Sequence, residues 1–380
     1  MPRSMGAMGA MGAMGAMGAM GAMGAMGAMG AMGAMGAMGA MGAMGAMGAN
    51  TDGSSVNGML VDALNKTRNG LVNLNGEGLL KPKVSAFNSA DNLARWDGSI
   101  RTKVYVFDLL RHLHFEANAK TGKAEIGHLQ LKAGTYNVLP IASISRTAKK
   151  DHFAFFAAQL KLVESWAELR EERASEILCQ LTPQFPFWNA IIHLGLESKP
   201  KTVELMMLGL QLCSFAEVRF KHALCCLRPI GYSTDLQPMI PTPPHGTMPS
   251  GHATEAYFVA YLLENLLPKG KDYRKQLQGL AARIAINRTV AGLHFPADSQ
   301  AGQMLGQSLA EYFVAQCQKN SVQPLWHARN IAFALKDKSN DFDPAKLDKG
   351  TSKSYKIPAK TEETPIQWLW KRAVAECAII

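Results

Sequence analysis

The stretch PSGHATEAYF, residues 249–258, places a proline, a serine, a glycine and a histidine directly before an apolar run. Ser250 is a residue type that caps helices, and the backbone N–H groups around Ser250, Gly251 and His252 then lie at the positive end of a helix dipole. Such an end binds anions. Taken alone, an ordinary helix cap with His252 on the surface explains the stretch equally well. Its neighbours on both sides decide the reading.

Upstream lies KHALCCLRP, residues 221–229, in which Lys221 and Arg228 are seven positions apart. On a continuous helix that spacing puts both cations on one face, two turns apart, and Pro229 would end the helix directly after Arg228. Downstream lies NRTVAGLHFPAD, residues 287–298, with Arg288, His294 and Asp298. A carboxylate four residues after an imidazole can reach it at a helix entry, fix its tautomer and leave the other ring nitrogen as nucleophile or metal ligand. Each pair alone could be a solvated basic face or a structural hydrogen bond. Three cations, one serine, one glycine and two histidines within three blocks of an apolar background are not explained by packing.

Helical periodicity runs through this region. Helices are expected at about 152–181, 202–227, 251–267, 271–289 and 298–318, with Phe153, Phe156, Leu160, Val163 and Leu169 on one apolar face of the first. Prolines 200, 229, 268 and 296 fall between them. Residues 101–140 are ambiguous between strand and helix. Residues 5–49 are a Met-Gly-Ala repeat without charge, aromatic residue or proline, expected to be disordered. The chain divides into this low-complexity segment at 1–50, an N-terminal extension at 51–150, a helical domain at 151–330 and a C-terminal extension at 331–380.

The chain has 380 residues, a net charge of +10 and six cysteines without paired metal-ligand spacing. A disulfide or zinc framework is not expected. The basic residues are scattered and form no stripe with interleaved aromatics, which argues against nucleic acid as a partner. Glu204, Glu255, Glu264 and Arg283 interrupt the longest apolar runs, so no transmembrane segment is expected. The repeat does not have the form of a secretory signal. The chain reads as soluble, cytoplasmic or otherwise, with export left open.

The pattern K-x6-R-P, then P-S-G-H, then R-x5-H-x3-D resembles the signature of the superfamily that unites type 2 phosphatidic acid phosphatases, bacterial acid phosphatases and vanadium-dependent haloperoxidases. Lys221, Arg228, Pro229, Pro249, Ser250, Gly251, His252, Arg288, His294 and Asp298 carry it over roughly 202–315, and Asn287 stands where serine is usual. The resemblance implies an all-α helical bundle and an oxyanion cradle formed by Lys221, Arg228, Ser250, Gly251 and Arg288. In a phosphatase the residue matching His294 attacks phosphorus and the one matching His252 protonates the leaving group, with no cofactor. In a haloperoxidase His294 would ligate the vanadium of bound vanadate, and hydrogen peroxide and halide would be the substrates. The absence of a membrane span and an export signal, and His245 close to Ser250 as a neighbouring histidine, favour the haloperoxidase. The short interval from His252 to Arg288, and Val218 where a tryptophan is often found, favour a phosphatase acting on phosphate esters. A catalytically silent phosphate-binding protein is the third reading, against which His252, His294 and Asp298 all speak.

Overall fold

The computed structural model describes residues 58–71, 82, 84–132, 134–181, 184–195, 197–268, 273–318, 325–345, 353–356 and 363–378. The Met-Gly-Ala repeat lies outside them. Helix α1 (Gly58–Leu71) buries none of its residues. Helix α2 (Gly98–Leu110) starts at Asp97, whose carboxylate accepts the Ser99 N–H at 2.8 Å. The ambiguity at 101–140 resolves as the end of this helix followed by β1 (Leu113–Asn118), β2 (Lys123–Lys132) and β3 (Thr135–Ser145). These strands pair antiparallel in sequence order. Ala124, Ile126, Ile141, Ala142 and Ile144 point into the core, and burial of these apolar side chains stabilises the sheet against the helices.

Helix α3 (His152–Trp166) passes through a short 3₁₀ turn, Ala167–Leu169, into α4 (Arg170–Cys179), so the single helix expected at 152–181 is two. Its buried face is Phe155, Phe156, Gln159, Leu160 and Val163; Phe153, expected on that face, points to solvent. Next come α5 (Phe185–Ile192) and α6 (Pro200–Leu224). The helices that follow are α7 (Gly251–Leu266), α8 (Arg274–Val290) and α9 (Pro296–Cys317). Pro200 and Pro296 occupy first helical turns, where the missing N–H has no partner to lose.

Helices α6, α7, α8 and α9 form the centre. Gly302 and Gly306 let α9 lie against the first turns of α7: a Cβ at Gly302 would stand 2.7 Å from both the Ser250 carbonyl oxygen and Ala253 Cβ. The chain then adds β4 (Leu325–His327), β5 (Arg329–Ala332), β6 (Ser354–Lys356) and α10 (Pro365–Cys377). Strand β5 joins β3 in parallel, and β4 pairs with β6. The protein is therefore mostly helical with a small mixed sheet, and the all-α expectation holds only approximately. The region expected as a C-terminal extension is in part structural, since Trp368, Leu369 and Ala373 of α10 are buried. Among the described residues no helix is long and apolar enough to cross a membrane.

Candidate active site

Lys221 and Arg228 do converge, but not along one helix face. Helix α6 ends at Leu224, where Cys225 adopts a left-handed conformation (φ 50°) and its N–H returns to the Lys221 carbonyl at 3.1 Å. Arg228 follows in extended backbone, so Pro229 does not terminate the helix; Cys225 does. Cys225 is consequently exposed, whereas the adjacent Cys226 is buried. The buried Lys221 ammonium donates to the carbonyls of Pro249 and, at 3.5 Å, Thr247. Arg228 spans the site: Nε donates to the His245 carbonyl at 3.1 Å and Nη1 to the Leu293 carbonyl at 3.0 Å.

The second block behaves as its residue types dictate. Ser250 is the N-cap of α7, its hydroxyl 3.5 Å from the Ala253 N–H, and its own N–H donates to the Asp298 carbonyl at 2.9 Å. A Cβ on Gly251 would come within 2.5 Å of a Glu217 carboxyl oxygen, so any side chain there would have to displace the Glu217 carboxyl where α6 passes the start of α7. His252 is partly open to solvent, and its Nε2 lies 3.0 Å from the Gln180 carbonyl. A carbonyl only accepts, so Nε2 carries the proton and Nδ1 remains for a substrate.

The third block begins at Arg288, in the last turn of α8 and 1% exposed. Its Nη2 donates to the Ile177 carbonyl at 3.2 Å, while Nε and Nη1 are buried without any partner. Two orphaned guanidinium donors carry a large desolvation penalty unless an acceptor meets them. Gly292, with φ 78°, then turns the chain sharply enough to bring His294 back over the cradle. The His294 ring lies between Arg228 Nη1, 3.0 Å from Nε2, and Asp298 Oδ2, 3.2 Å from Nδ1. Guanidinium can only donate, so Nε2 holds the lone pair and Nδ1 the proton. Asp298 Oδ2 is itself fixed by the Thr247 hydroxyl at 2.5 Å and the Phe295 N–H at 2.8 Å. His245 joins the rim, its Nδ1 3.3 Å from Arg228 Nη2.

Burial governs the protonation of the group. Desolvation lowers Lys221 to about 8, against the attraction of Glu217, and lowers Arg228 and Arg288 to about 10. Burial, reinforced by Arg288, lowers His252 to about 3, and burial with Arg228 and Lys221 holds His294 well below its ordinary value. Both imidazoles are neutral near pH 7, as a nucleophile or ligand at His294 requires. Desolvation raises Asp298 to about 6 despite the Thr247 and Phe295 hydrogen bonds, so the carboxylate form predominates at neutral pH. The residues that the motifs and the family resemblance placed at the site, Lys221, Arg228, His245, Ser250, Gly251, His252, Arg288, His294 and Asp298, lie in one connected cluster.

Residues 203–321 match the PAP2 superfamily. All nine cluster residues fall inside the PAP2 match. No curated protein shows a significant match to the chain. The PAP2 match points to phosphatase or haloperoxidase-type oxyanion chemistry. Three participants escaped the sequence reading. Thr247 was hidden in a Pro-rich loop, Glu217 looked like an ordinary helical charge, and Gln180 lies outside the PAP2 match altogether. Of the three, only Glu217 had a usable local signal, its four-residue spacing from Lys221. Among the described residues no three His, Cys, Asp or Glu side chains converge as a metal site would need.

Proposed function

We propose that this chain binds a tetrahedral oxyanion between Arg288, Lys221, Arg228 and the start of α7, and does its chemistry at His294 Nε2. The observation that carries the reading is the buried pair of unpartnered donors, Nε and Nη1 of Arg288, in a cluster whose other cations are also desolvated. A dianion is the ligand whose charge and acceptor number fit them. Vanadate meets that requirement as well as phosphate does, and a neutral imidazole with its lone pair on Nε2 is the donor it needs. Lys221, Arg228, Ser250, Gly251 and Arg288 would hold its oxygens and His294 would ligate the metal. When bound, vanadate supplies a centre at which hydrogen peroxide is activated to oxidise a halide, with bromide the expected one. Asp298 keeps the proton on His294 Nδ1, Gln180 keeps it on His252 Nε2, and His252 Nδ1 is left to exchange protons with the reactants. Support for this vanadium haloperoxidase comes from His245, a third imidazole in contact with Arg228 at the rim.

The same geometry supports a phosphatase without cofactor, favoured by the short interval between His252 and Arg288. His294 Nε2 would attack phosphorus. The bound anion would offset the cations that add to burial in lowering His252 and let its Nδ1 take up a proton from solvent. That proton would pass to the leaving ester oxygen, and water would then hydrolyse the phosphohistidine to phosphate. Turnover of both substrates on one preparation decides. Bromination of a dye at saturating vanadate, peroxide and bromide is expected; efficient hydrolysis of a chromogenic phosphate ester with no bromination would assign the phosphatase instead.

A further inference from the structure

Gln180 follows the last residue of α4, is fully buried and lies outside the stretch matched to PAP2. Its side chain has only one possible orientation. The Glu176 carboxylate, which can only accept, takes the Gln180 Nε2–H at 3.1 Å. The amide oxygen must therefore face the other way, where Asn287 Nδ2 donates to it at 3.0 Å and Arg288 Nη2 at 3.4 Å. Glu176 is anchored in turn by Arg283, with Nη2 to Oε2 at 2.9 Å, and Asn287 Oδ1 by Arg173 Nη1 at 3.3 Å. Together with the Ile177 carbonyl, Gln180 consumes the Nη2 corner of the Arg288 guanidinium. The planar fork then has Nε and Nη1 left for a ligand.

We propose that Gln180 is the positioning residue of the oxyanion cradle: its amide oxygen, locked by Glu176 and Asn287, holds Nη2 of Arg288 so that the unpartnered Nε and Nη1 donors stay open to the bound anion. The inference rests on the oxyanion reading above. It also gives Asn287 a task, because a serine at that position is too short to span to the Gln180 amide. A neutral amide suits this place: it accepts from Arg288 without cancelling the charge that the anion needs.

The test is inorganic phosphate binding to the full chain by calorimetry, compared for wild type, Gln180→Met and Gln180→Glu, with the thermal midpoint of each. Methionine keeps the volume and loses the acceptor; affinity is expected to fall roughly tenfold, the size of one hydrogen bond to a charged group. Glutamate keeps both volume and acceptor but adds charge beside Arg288. Its affinity is expected to fall further, and the deficit relative to wild type to narrow as pH falls and the introduced carboxyl takes a proton. A side chain that merely fills space would give no such pH dependence. Wild-type affinity in either variant overturns the inference, as does an equal loss in both that does not change with pH. If Gln180→Met does not fold, the Gln180→Glu profile alone decides. Wild-type protein that binds no phosphate would instead bring down the oxyanion reading itself.

Discussion

At the scale of single residues, the two histidines are proposed to have different tasks and should then fail differently. His294→Ala removes the one ring nitrogen that Arg228 and Asp298 together hold with an available lone pair. Less than one-tenth of wild-type turnover is expected in both the bromination and the ester assay. His252→Ala should leave vanadate and phosphate binding nearly intact while turnover falls roughly a hundredfold or more, the usual range of a general acid–base contribution; parallel loss of binding and rate would contradict that division. Lys221 gives a pH signature. Burial lowers its ammonium to about 8, so it is cationic below that pH and neutral above it. Affinity for sulfate, whose own charge is constant over the range, should fall roughly tenfold as pH rises through about 8. Lys221→Arg should move that fall to higher pH, and a fall at the same pH in the variant would mean that another group titrates.

At the scale of elements, the site depends on how closely α9 approaches α7. Ser250 donates its N–H to the Asp298 carbonyl, and that bond links the α7 start to the α9 start. The two helices reach it because Gly306 has no side chain: a Cβ there would strike the Thr254 carbonyl. Gly306→Ala should cost about 1–3 kcal/mol, the usual penalty of overpacking a filled core. Urea unfolding would measure it, and an unchanged midpoint would show that the helices can separate without loss. The end of α6 is set by a different device, the left-handed Cys225, which redirects the chain so that Arg228 lies over the cradle instead of continuing the helix.

For the whole molecule, the segment beyond the PAP2 match packs on the far end of the helix that carries Lys221. Glu376 on α10 accepts the Lys201 N–H at 2.8 Å and the Thr202 N–H at 2.7 Å, and so caps the start of the helix whose other end carries Lys221. Glu376→Ala should cost about 1 kcal/mol in stability, typical of a lost N-cap, with phosphate affinity unchanged. A changed affinity would show that the cap also controls the far end of α6. The sheet acts similarly at the other side, where β5 from beyond the match pairs with β3 from before it.

The sequence by itself determined the residue types of the cradle, their grouping in three blocks, the helix start at Gly251 and, to within two residues, those at Pro200 and Pro296, and the largely helical class. Those features are local: a cap, a proline or a four-residue spacing depends on covalent geometry and neighbouring hydrogen bonds alone. It left 101–140 undecided, because short apolar runs suit strands and helices alike until a partner strand supplies the ladder. It also placed Lys221 and Arg228 on one helix, since one left-handed residue at Cys225 carries no strong sequence mark. Only the tertiary structure decided which donors of Arg288 stay open, that Thr247 fixes Asp298, and that Gln180 supports Arg288. Gln180 and Arg288 are 108 residues apart. Their contact depends on how α4 packs against α8, and no pattern within either segment encodes it.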